Sequence, residues 1–553
     1  MLITILIFLA ILLLVPIGWE RLYYEISHRK RIVSVHINQK TASSFAIGEQ
    51  GYRDLELLVD NRNTQLLTLY IDANGLSMTH HQALRMVLVR IRNTGKQVWV
   101  YLYDRDRASY YLASVADKIY MLPTGSIFWM GLGGHHPFYK KLLDFVGIKA
   151  DFERAGSYKS FAEPYTKEGP SDEYKEQYIS LLSSLQEQLL EDVSSSRSIE
   201  REVLEEAFLS SPMTAERAKE FGMIDELGFE DQFTEAAEEF TKSKEISLHR
   251  LAWWARWAKK LNFYAKKPPT IAVLCLHGAI YEQGNTGNRI IMQDTMEKLQ
   301  SLREDDDIKA VVLCVNSPGG SAQASECIHR EVERLNREKP VVAFFASVAA
   351  SGGYYLSAAA GEIVALPSTI TGSIGVVGGK VVVADIAKKM GVHLEGISVG
   401  GDYDLFSPTV PFSPEQRARF QSFLMHTYQR FLQVVSAGRG MPLSSVEACA
   451  KGRVYTGLQA QEEGLVDRLG DVNLAIKRAG LRANLKNYRS IYIFPKVGIV
   501  QKIRAQFGLS QSKHGLSGLY SLPTDIQLLQ AHPIQPLLYS PIASAWEENG
   551  QKP

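Results

Sequence analysis

The sequence has few of the residues that build metal centres and disulfide frameworks. Its 553 residues include four cysteines, none of them in a Cys-x-x-Cys spacing, and no histidine pairs stand at the spacing of a zinc site. Each cysteine stands alone in an apolar or helical pattern, so we expect buried free thiols and no metal. The four are Cys275, Cys314, Cys327 and Cys449.

A charge of one sign is also missing. The chain has 61 lysines and arginines against 60 aspartates and glutamates, which gives a formal net charge of +1 at pH 7. This balance provides no broad basic surface for nucleic acid and no acidic tail, so we predict no nucleic-acid partner. With 45% hydrophobic residues, the composition is that of a globular protein long enough for two to four domains.

A long apolar run begins the chain. Residues 2–19 carry no charge before Glu20, and at ~1.5 Å per residue this stretch spans ~27 Å, enough for a bilayer core. No basic residues precede the run and no Ala-x-Ala site follows it, so we predict a retained single-pass anchor at residues 1–20. Basic residues at 21 and 29–31 would place the following chain in the cytosol by the positive-inside rule.

The chain also contains one pattern twice. "MTAERAKEFGMIDELG" (213–228) matches "YTGLQAQEEGLVDRLG" (455–470) at a shift of 242 residues. "RASYYLASVA" (107–116) matches "SGGYYLSAAA" (351–360) at a shift of 244. A register held over this length indicates an internal duplication.

Each copy predicts one α/β unit. Short apolar runs that end in glycine turns alternate with helical patterns, which is typical of strands followed by helices. We place the two units at 31–240 and 269–485, joined by a linker helix within 241–268. The tail, 486–553, is rich in Gly, Ser, Pro and Gln, and we assign it no chemistry.

The second copy carries the strongest candidates for chemistry. "NSPGGS" (316–321) predicts a strand that ends in a turn whose bare backbone a substrate can approach, and Ser351 is predicted at the start of a helix. A tight turn would also explain "NSPGGS", and an ordinary helix N-cap would also explain Ser351. The repeat weakens the capping alternative, because the first copy has Arg107 in place of Ser351 and Leu76 in place of Gly320.

A serine nucleophile needs a base, and the histidines do not provide one. There is no Gly-x-Ser-x-Gly elbow, and the pairs at 80–81 and 135–136 are predicted in solvated loops. A lysine can serve if its pKa falls from ~10.4 toward ~7–8, which requires burial. Lys159 in the uncharged stretch "GSYKSF" is the candidate, and the second copy has Asp404 at that position. Each copy therefore offers the half of a site that the other lacks.

These motifs resemble the signal peptide peptidase A (protease IV) family, in its double-length, membrane-anchored type. The resemblance covers residues 31–480 approximately. It rests on "NSPGGS" (316–321), "ASGGYYLSAAA" (350–360), "TGSIGVVGG" (371–379), "GSYKSFAEPYT" (156–166) and "VYTGLQAQEEGLVDRLG" (454–470).

The resemblance implies an α/β fold of two tandem crotonase-like or Clp-protease-like units. It implies Ser351 as nucleophile, Lys159 as general base, Ser373 as the residue that positions the lysine, and the N–H groups of Gly320 and Gly352 as the oxyanion hole. It calls for no cofactor.

The resemblance also implies a membrane-bound serine endopeptidase that cuts remnant signal peptides and assembles as a homotetramer. The family works on the extracytoplasmic side of the inner membrane, which conflicts with the basic residues after the anchor. Two alternatives stay open: a non-proteolytic membrane scaffold of the same fold, and a crotonase-like acyl-CoA enzyme. The presence of both Ser351 and Lys159 argues against the first, and "GSIGVVGGK" lacks a P-loop spacing, which argues against the second.

Overall fold

The computed structural model describes residues 31–38, 41–72, 77–261, 268–284, 289–494 and 537–539. The predicted anchor, residues 1–20, lies outside the described residues, as does most of the tail. Within the described ranges, no helix combines the length and the apolar character that crossing a bilayer requires.

Short buried strands alternate with helices along the described chain. The strands are β1 Arg31–Asn38, β2 Thr64–Asp72, β3 Gln97–Leu102, β4 Arg105–Asp106, β5 Lys118–Met121, β6 Ser126–Phe128, β7 Lys149–Ala155, β8 Met213–Thr214, β9 Glu226–Leu227, β10 Glu245–Ser247, β11 Thr270–His277, β12 Ala279–Tyr281, β13 Arg289–Ile291, β14 Ile308–Ser317, β15 Gly319–Ser321, β16 Val341–Ala350, β17 Glu362–Ala365, β18 Ile370–Gly372, β19 Val376–Val382, β20 Val454–Thr456, β21 Arg468–Leu469, β22 Arg489–Ile493 and β23 Leu537–Tyr539.

The helices cover the faces of the sheets. They are α1 Gln50–Asp60, α2 Met78–Asn93, α3 Arg107–Ala113, α4 Lys140–Val146, α5 Glu163–Thr166, α6 Asp172–Arg197, α7 Arg201–Leu209, α8 Ala215–Glu220, α9 Glu230–Thr241, α10 Leu248–Leu261, α11 Met292–Glu304, α12 Ala322–Glu338, α13 Gly352–Ser357, α14 Ala384–Lys389, α15 Pro414–Arg439, α16 Leu443–Cys449, α17 Gly457–Glu462 and α18 Val472–Arg482, with a 3₁₀ turn at Ala42–Phe45.

The two halves of the chain build the same sheet. The first sheet has the strand order β10-β1-β2-β3-β5-β9, and every neighbouring pair in it is parallel. The second contains the order β22-β11-β14-β16-β17-β21, again parallel. Their central strands are near-continuous apolar runs such as "VVAFFASVAA", as expected when helices cover both faces of a sheet. The predicted duplication is confirmed by this shared topology.

Both sheets extend beyond the predicted unit boundaries. β10 lies inside the stretch predicted as a linker, yet it pairs with β1 and completes the first sheet. β22 begins after residue 485 and pairs with β11 in the equivalent place. The rest of the linker prediction concerns helix α10, which packs its buried residues Leu248, Leu251 and Ala252 toward the first unit.

A third sheet joins the halves. β7 of the first unit pairs antiparallel with β19 of the second, from Ala155 opposite Val376 to Lys149 opposite Val382. The residues that follow β7 are thereby delivered to the second unit. The hydrophobic core is shared as well, since Leu84 of α2 lies in one buried cluster with Val312 and Phe344 of the second sheet.

Two expectations about single residue types have different outcomes. All four cysteines are free thiols, three of them buried and Cys327 half-buried. The expectation that His80 and His81 lie in a solvated loop is wrong, because both belong to helix α2 and His81 is only 2% exposed. The pair faces the shared core between the units, which a local sequence pattern does not reveal.

An ion pair crosses between the units at Asp471. This carboxylate is 2% exposed and caps helix α18 by accepting a hydrogen bond from the Leu474 N–H. It also accepts from the Tyr52 hydroxyl at 3.0 Å and the Arg90 guanidinium at 2.7 Å, both from the first unit. One buried side chain therefore fixes both the helix start and the contact between the halves.

Replacing Asp471 by alanine is expected to destabilise the protein by about 2–4 kcal/mol. The change removes a helix cap and leaves the partly buried Arg90 without one of its carboxylate partners. We expect the midpoint of thermal unfolding to fall by about 5 °C or more. The matched control is Asp172→Ala, which removes a fully exposed carboxylate near a helix start and should move the midpoint little. Equal midpoints for the two variants would contradict the role given to Asp471.

Candidate active site

Ser351 stands at the junction between strand β16 and helix α13. Its backbone has φ 54° and ψ −114°, a left-handed conformation that costs a non-glycine residue about 1–3 kcal/mol. The Ser351 N–H donates to the Gly372 carbonyl at 2.8 Å, which ties the turn to the end of β18. The side chain has no exposed surface.

The hydroxyl of Ser351 does not cap the helix that it precedes. Helices α6 and α15 begin with Ser171 and Ser413, whose hydroxyls accept from backbone N–H groups in the ordinary way. At the equivalent helix of the first unit, Asp106 caps α3. Ser351 makes no such bond, so the capping alternative is wrong for this serine.

Lys159 reaches the second unit from the loop that follows β7. The loop is pressed against residues 451 and 452, and the Tyr158 N–H donates to the Lys451 carbonyl at 2.8 Å. Gly452 has φ 80°, and a Cβ there would lie 2.6 Å from the Lys159 nitrogen. Only glycine permits this approach. Gly452 is not part of any motif recognised in the sequence, and only the glycine itself could have indicated this approach.

The lysine amine and the serine hydroxyl are in contact. Lys159 Nζ lies 2.7 Å from Ser351 Oγ, and it also lies 3.0 Å from both the carbonyl oxygen and the Oγ of Ser373. The lysine is 2% exposed, and burial lowers its pKa well below the usual 10.5. A neutral amine has two N–H donors and one lone pair. A neutral amine that directed both donors to Ser373 would have its lone pair available to the Ser351 hydroxyl.

The backbone N–H of Ser373 is held by the second unit. It has φ 52°, and its N–H donates to the Arg453 carbonyl at 2.7 Å. The residue directly follows Gly372, the last residue of β18, whose carbonyl accepts the Ser351 N–H. The two serines thus share one rigid support.

Two glycines lie beside Ser351. Gly320 has φ 153°, and a Cβ there would overlap the Ile280 carbonyl oxygen at 2.1 Å. A Cβ on Gly352 would lie 2.6 Å from Ser325 Oγ and 3.3 Å from the Gly319 Cα. The backbone of β15 therefore runs next to the start of α13. Gly352 is the first residue of that helix, where a backbone N–H has no acceptor within the helix.

The residues equivalent to Ser351 and Lys159 in the opposite units make other contacts. Arg107, which replaces Ser351 in the first copy, donates to the carbonyl oxygens of Met130 and Gly131. Asp404, which replaces Lys159 in the second, accepts from Gln416 Nε2 at 2.8 Å. The position equivalent to Gly320, Leu76, lies outside the described residues. The structure therefore brings all five predicted site residues together around the Lys159 amine and the start of α13.

The described part of the chain has no cluster of three or more histidine, cysteine, aspartate or glutamate side chains that could hold a metal ion. The chemical groups at the site are a hydroxyl, a desolvated amine and backbone amides.

Comparison with known proteins gives matches over both units. The profile of peptidase family S49 matches residues 90–244 and 333–486, and that of Clp protease matches residues 274–387. Protease 4 of Salmonella typhi is 30% identical over 499 residues, which cover 88% of this chain and 78% of that protein. Protease 4 of Haemophilus influenzae is 31% identical, over 84% of this chain and 78% of its own length.

A plant relative shows the same level of similarity. The chloroplastic serine protease SPPA of Arabidopsis thaliana is 30% identical over 428 residues, which cover 75% of this chain and 63% of that protein. The family segments fall one in each unit, in keeping with the duplicated sheets. Because the two segments together span more than half of the chain, and because relatives at this identity match most of its length, the chain belongs to peptidase family S49 and is a serine protease of that family.

Proposed function

We propose that the chain is an endopeptidase in which Ser351 is the nucleophile and Lys159 is the general base. The observation that carries the proposal is the 2.7 Å contact between Lys159 Nζ and Ser351 Oγ, made by an amine that burial keeps from its ordinary protonated state. A lysine becomes a useful base near neutral pH when it is desolvated in this way.

The proton moves between these two residues. Lys159 takes the proton of the Ser351 hydroxyl as the oxygen attacks the carbonyl carbon of a peptide bond. The resulting ammonium is stabilised by the Ser373 carbonyl and hydroxyl oxygens. It then gives the proton to the departing amine as the carbon–nitrogen bond breaks. Lys159 next takes a proton from a water molecule, whose oxygen attacks the acyl carbon, and returns that proton to Ser351 Oγ as the ester bond breaks.

Backbone N–H groups complete the site. The amides of Gly320 and Gly352 lie on adjacent backbones beside Ser351, and we assign them to the negative charge on the tetrahedral oxygen. Glycine is needed at both positions because a Cβ would meet Ile280 in one case and Ser325 in the other. These amides act without a change of structure during the reaction.

The two other functions suggested by the sequence do not explain the contact between Lys159 and Ser351, the proposed catalytic dyad. A scaffold does not require a buried amine in contact with a hydroxyl. Burying the lysine amine lowers the free energy of unfolding, because the charged amine is favoured in water. An acyl-CoA enzyme of crotonase type uses the paired amides but needs no serine beside a lysine.

The natural substrates and the cellular place belong to the proposal as well. We assign short apolar peptides, such as signal-peptide remnants, to the site, and a single-pass inner-membrane location with the protease units outside the cytoplasm. The apolar run at residues 2–19 supports a membrane location, because its length fits a bilayer core.

A homo-oligomer follows from the duplication. Inside the chain, β7 of the first unit pairs with β19 of the second. Moving each strand by the repeat shift leads to residues 394–400 and 132–138, and neither segment forms a strand in the described structure. Ile397 and Val399 in the first of these segments are 90% and 102% exposed. We assign 394–400 of one copy to 132–138 of the next, a head-to-tail contact that closes into a ring; the ring we propose is a tetramer.

Removing either member of the dyad is expected to abolish cleavage. Ser351→Ala and Lys159→Met should each lower kcat for an apolar fluorogenic peptide by about 10³-fold or more, because neither group acts alone. Ser351 should also be labelled by a serine-reactive phosphonate in the wild-type chain and in no Ser351 variant. Ser357→Ala, which removes the buried serine at the end of the helix that Ser351 precedes, is the control and should retain activity. Full cleavage by a folded Ser351 or Lys159 variant would refute the dyad.

The lowered pKa of Lys159 gives activity and stability a shared pH dependence. We expect kcat/KM to rise with pH through that pKa, since only the neutral amine accepts a proton. At pH values between the lowered pKa of Lys159 and the ordinary lysine pKa of 10.5, the unfolded chain binds one more proton than the folded chain. The free energy of unfolding therefore rises with pH in this range. Lys159→Met should therefore melt above the wild type at pH 7, by a margin that narrows toward pH 10.

The control for this measurement is Lys175→Met, which removes an exposed lysine and should leave the pH dependence of melting as in the wild type. A margin for Lys159→Met that stays constant with pH would show that the amine is charged in the folded protein.

The assembly is tested by charge. Ile397→Asp combined with Val399→Asp places two carboxylates in the proposed contact and should reduce the particle in detergent to a single 61.8 kDa chain by sedimentation. Met390→Asp adds a carboxylate at a 77% exposed residue outside 394–400 and should keep the wild-type mass. An unchanged mass for the double variant would exclude this contact.

A further inference from the structure

Gln177 is a fully buried amide on the long helix α6 of the first unit. Its side chain has no exposed surface. It makes two hydrogen bonds, both outside its own helix: Nε2 donates to Ser160 Oγ at 3.3 Å, and Oε1 accepts from the Val454 N–H at 2.9 Å. A buried amide that lacks partners costs free energy, so the loss of either bond is unfavourable.

The two partners of this amide lie on the two sides of the proposed dyad. Ser160 directly follows Lys159 in the loop after β7. Val454 is the first residue of β20 and pairs with Gly372, the residue whose carbonyl accepts the Ser351 N–H. One side chain therefore joins the loop that carries the lysine to the strands that support the serine.

An outer contact at the surface joins the same two segments. Glu176 accepts from the Tyr158 hydroxyl at 2.9 Å and from the Arg453 guanidinium at 3.0 Å. These two partners immediately precede the lysine and Val454. The Glu176 side chain is 54% exposed, and ion pairs in such positions contribute little free energy. The buried amide of Gln177 is therefore the stronger constraint on the loop.

The repeat shows that the helix itself does not need this glutamine. Helices α6 and α15 correspond at a shift of 242 residues, and the position of Gln177 is taken by Arg419 in α15. The Arg419 side chain is 59% exposed and pairs with Asp402. A buried amide stands at this position only in the copy whose helix lies beside the lysine. The contacts with Ser160 and Val454 account for it.

Resting on the proposed function, we propose that Gln177 is a positioning residue that fixes the Lys159 amine at the Ser351 hydroxyl. It acts through Ser160 and the backbone of the loop. Loss of the amide frees the loop from α6, so the amine is held less well at 2.7 Å from the hydroxyl oxygen. A displacement of ~1 Å at a reacting group can cost ~100-fold in rate. Water that enters beside the amine also stabilises its charged form.

Gln177→Leu in the full chain in detergent tests this role, with Gln188→Leu as the matched control. Gln188 lies ~16 Å further along α6, is 8% exposed, and donates to the Pro367 carbonyl of the second unit at 3.1 Å. Both variants lose a buried bond between the units, so both should melt earlier than the wild type. Only Gln177→Leu should lower kcat for an apolar fluorogenic peptide, by about 10–100-fold with KM within about twofold. The acid limb of its kcat/KM profile should also move to higher pH, because the hydrated amine holds its proton more strongly.

Acetylation measures the position of the lysine without catalysis. In the Ser351→Ala background, acetic anhydride should modify Lys159 about tenfold faster with Gln177→Leu than with Gln188→Leu, as read by peptide mass. Equal kcat, equal pH profiles and equal acetylation for the two glutamine variants would overturn the inference. Should Ser351→Ala itself cleave the peptide fully, the dyad proposal fails, and the acetylation rates still decide whether Gln177 holds the lysine.

Ser160→Ala removes the other end of the same bond by a smaller change. It should lower kcat by about threefold or more and add little to the loss caused by Gln177→Leu, because the two changes break one contact. Should Gln177→Leu not fold, this variant decides alone. Wild-type kcat together with wild-type acetylation of Lys159 in Ser160→Ala would then overturn the inference.

Discussion

The contact between the Lys159 amine and the Ser351 hydroxyl depends on keeping the amine out of water. In solvent a lysine is charged and holds its protons, so it has no lone pair to offer. Here the second unit closes over the loop that follows β7, and the side chain is left 2% exposed with Ser373 as its other partner. Three features accompany the contact between the amine and the hydroxyl: the burial of Lys159, the glycine at 452 and the positive φ at Ser351.

Duplication explains how such a site arose within one chain. The two units share a strand order. In each unit the segment after the third strand contains the position of Ser351 or Arg107, and the segment before the long helix contains the position of Lys159 or Asp404. Only one serine and one lysine are present at these positions, with Arg107 and Asp404 in the others. Both replacements make local hydrogen bonds that tie down their own loops. At each position, one copy takes part in the contact between Lys159 and Ser351 and the other makes a local hydrogen bond.

The third sheet contains strands from both units and from the tail. Its β7 and β19 bring the lysine to the serine, and the repeat counterparts of the same strands are the exposed segments that we assign to the next copy. Its β15 and β19 flank β23. An antiparallel pairing therefore makes the contact between the units.

The sequence by itself determined the duplication, the α/β class and the candidates Ser351, Lys159 and Gly320, whereas Gly352 and Ser373 followed from the resemblance to a known family. The duplication, the fold class and the candidates from the repeat are visible in local patterns. These patterns are apolar strands, glycine turns and a repeat whose two copies differ at Ser351 and Lys159. Local patterns did not identify the buried helix position of His81, the strand β10 within the supposed linker, or the close approach of Gly452 to Lys159. Each of these depends on residues hundreds of positions apart. Only the tertiary structure decided that Lys159 and Ser351, 192 residues apart, are in contact, because the pairing of β7 with β19 and the exclusion of water are properties of the packed chain.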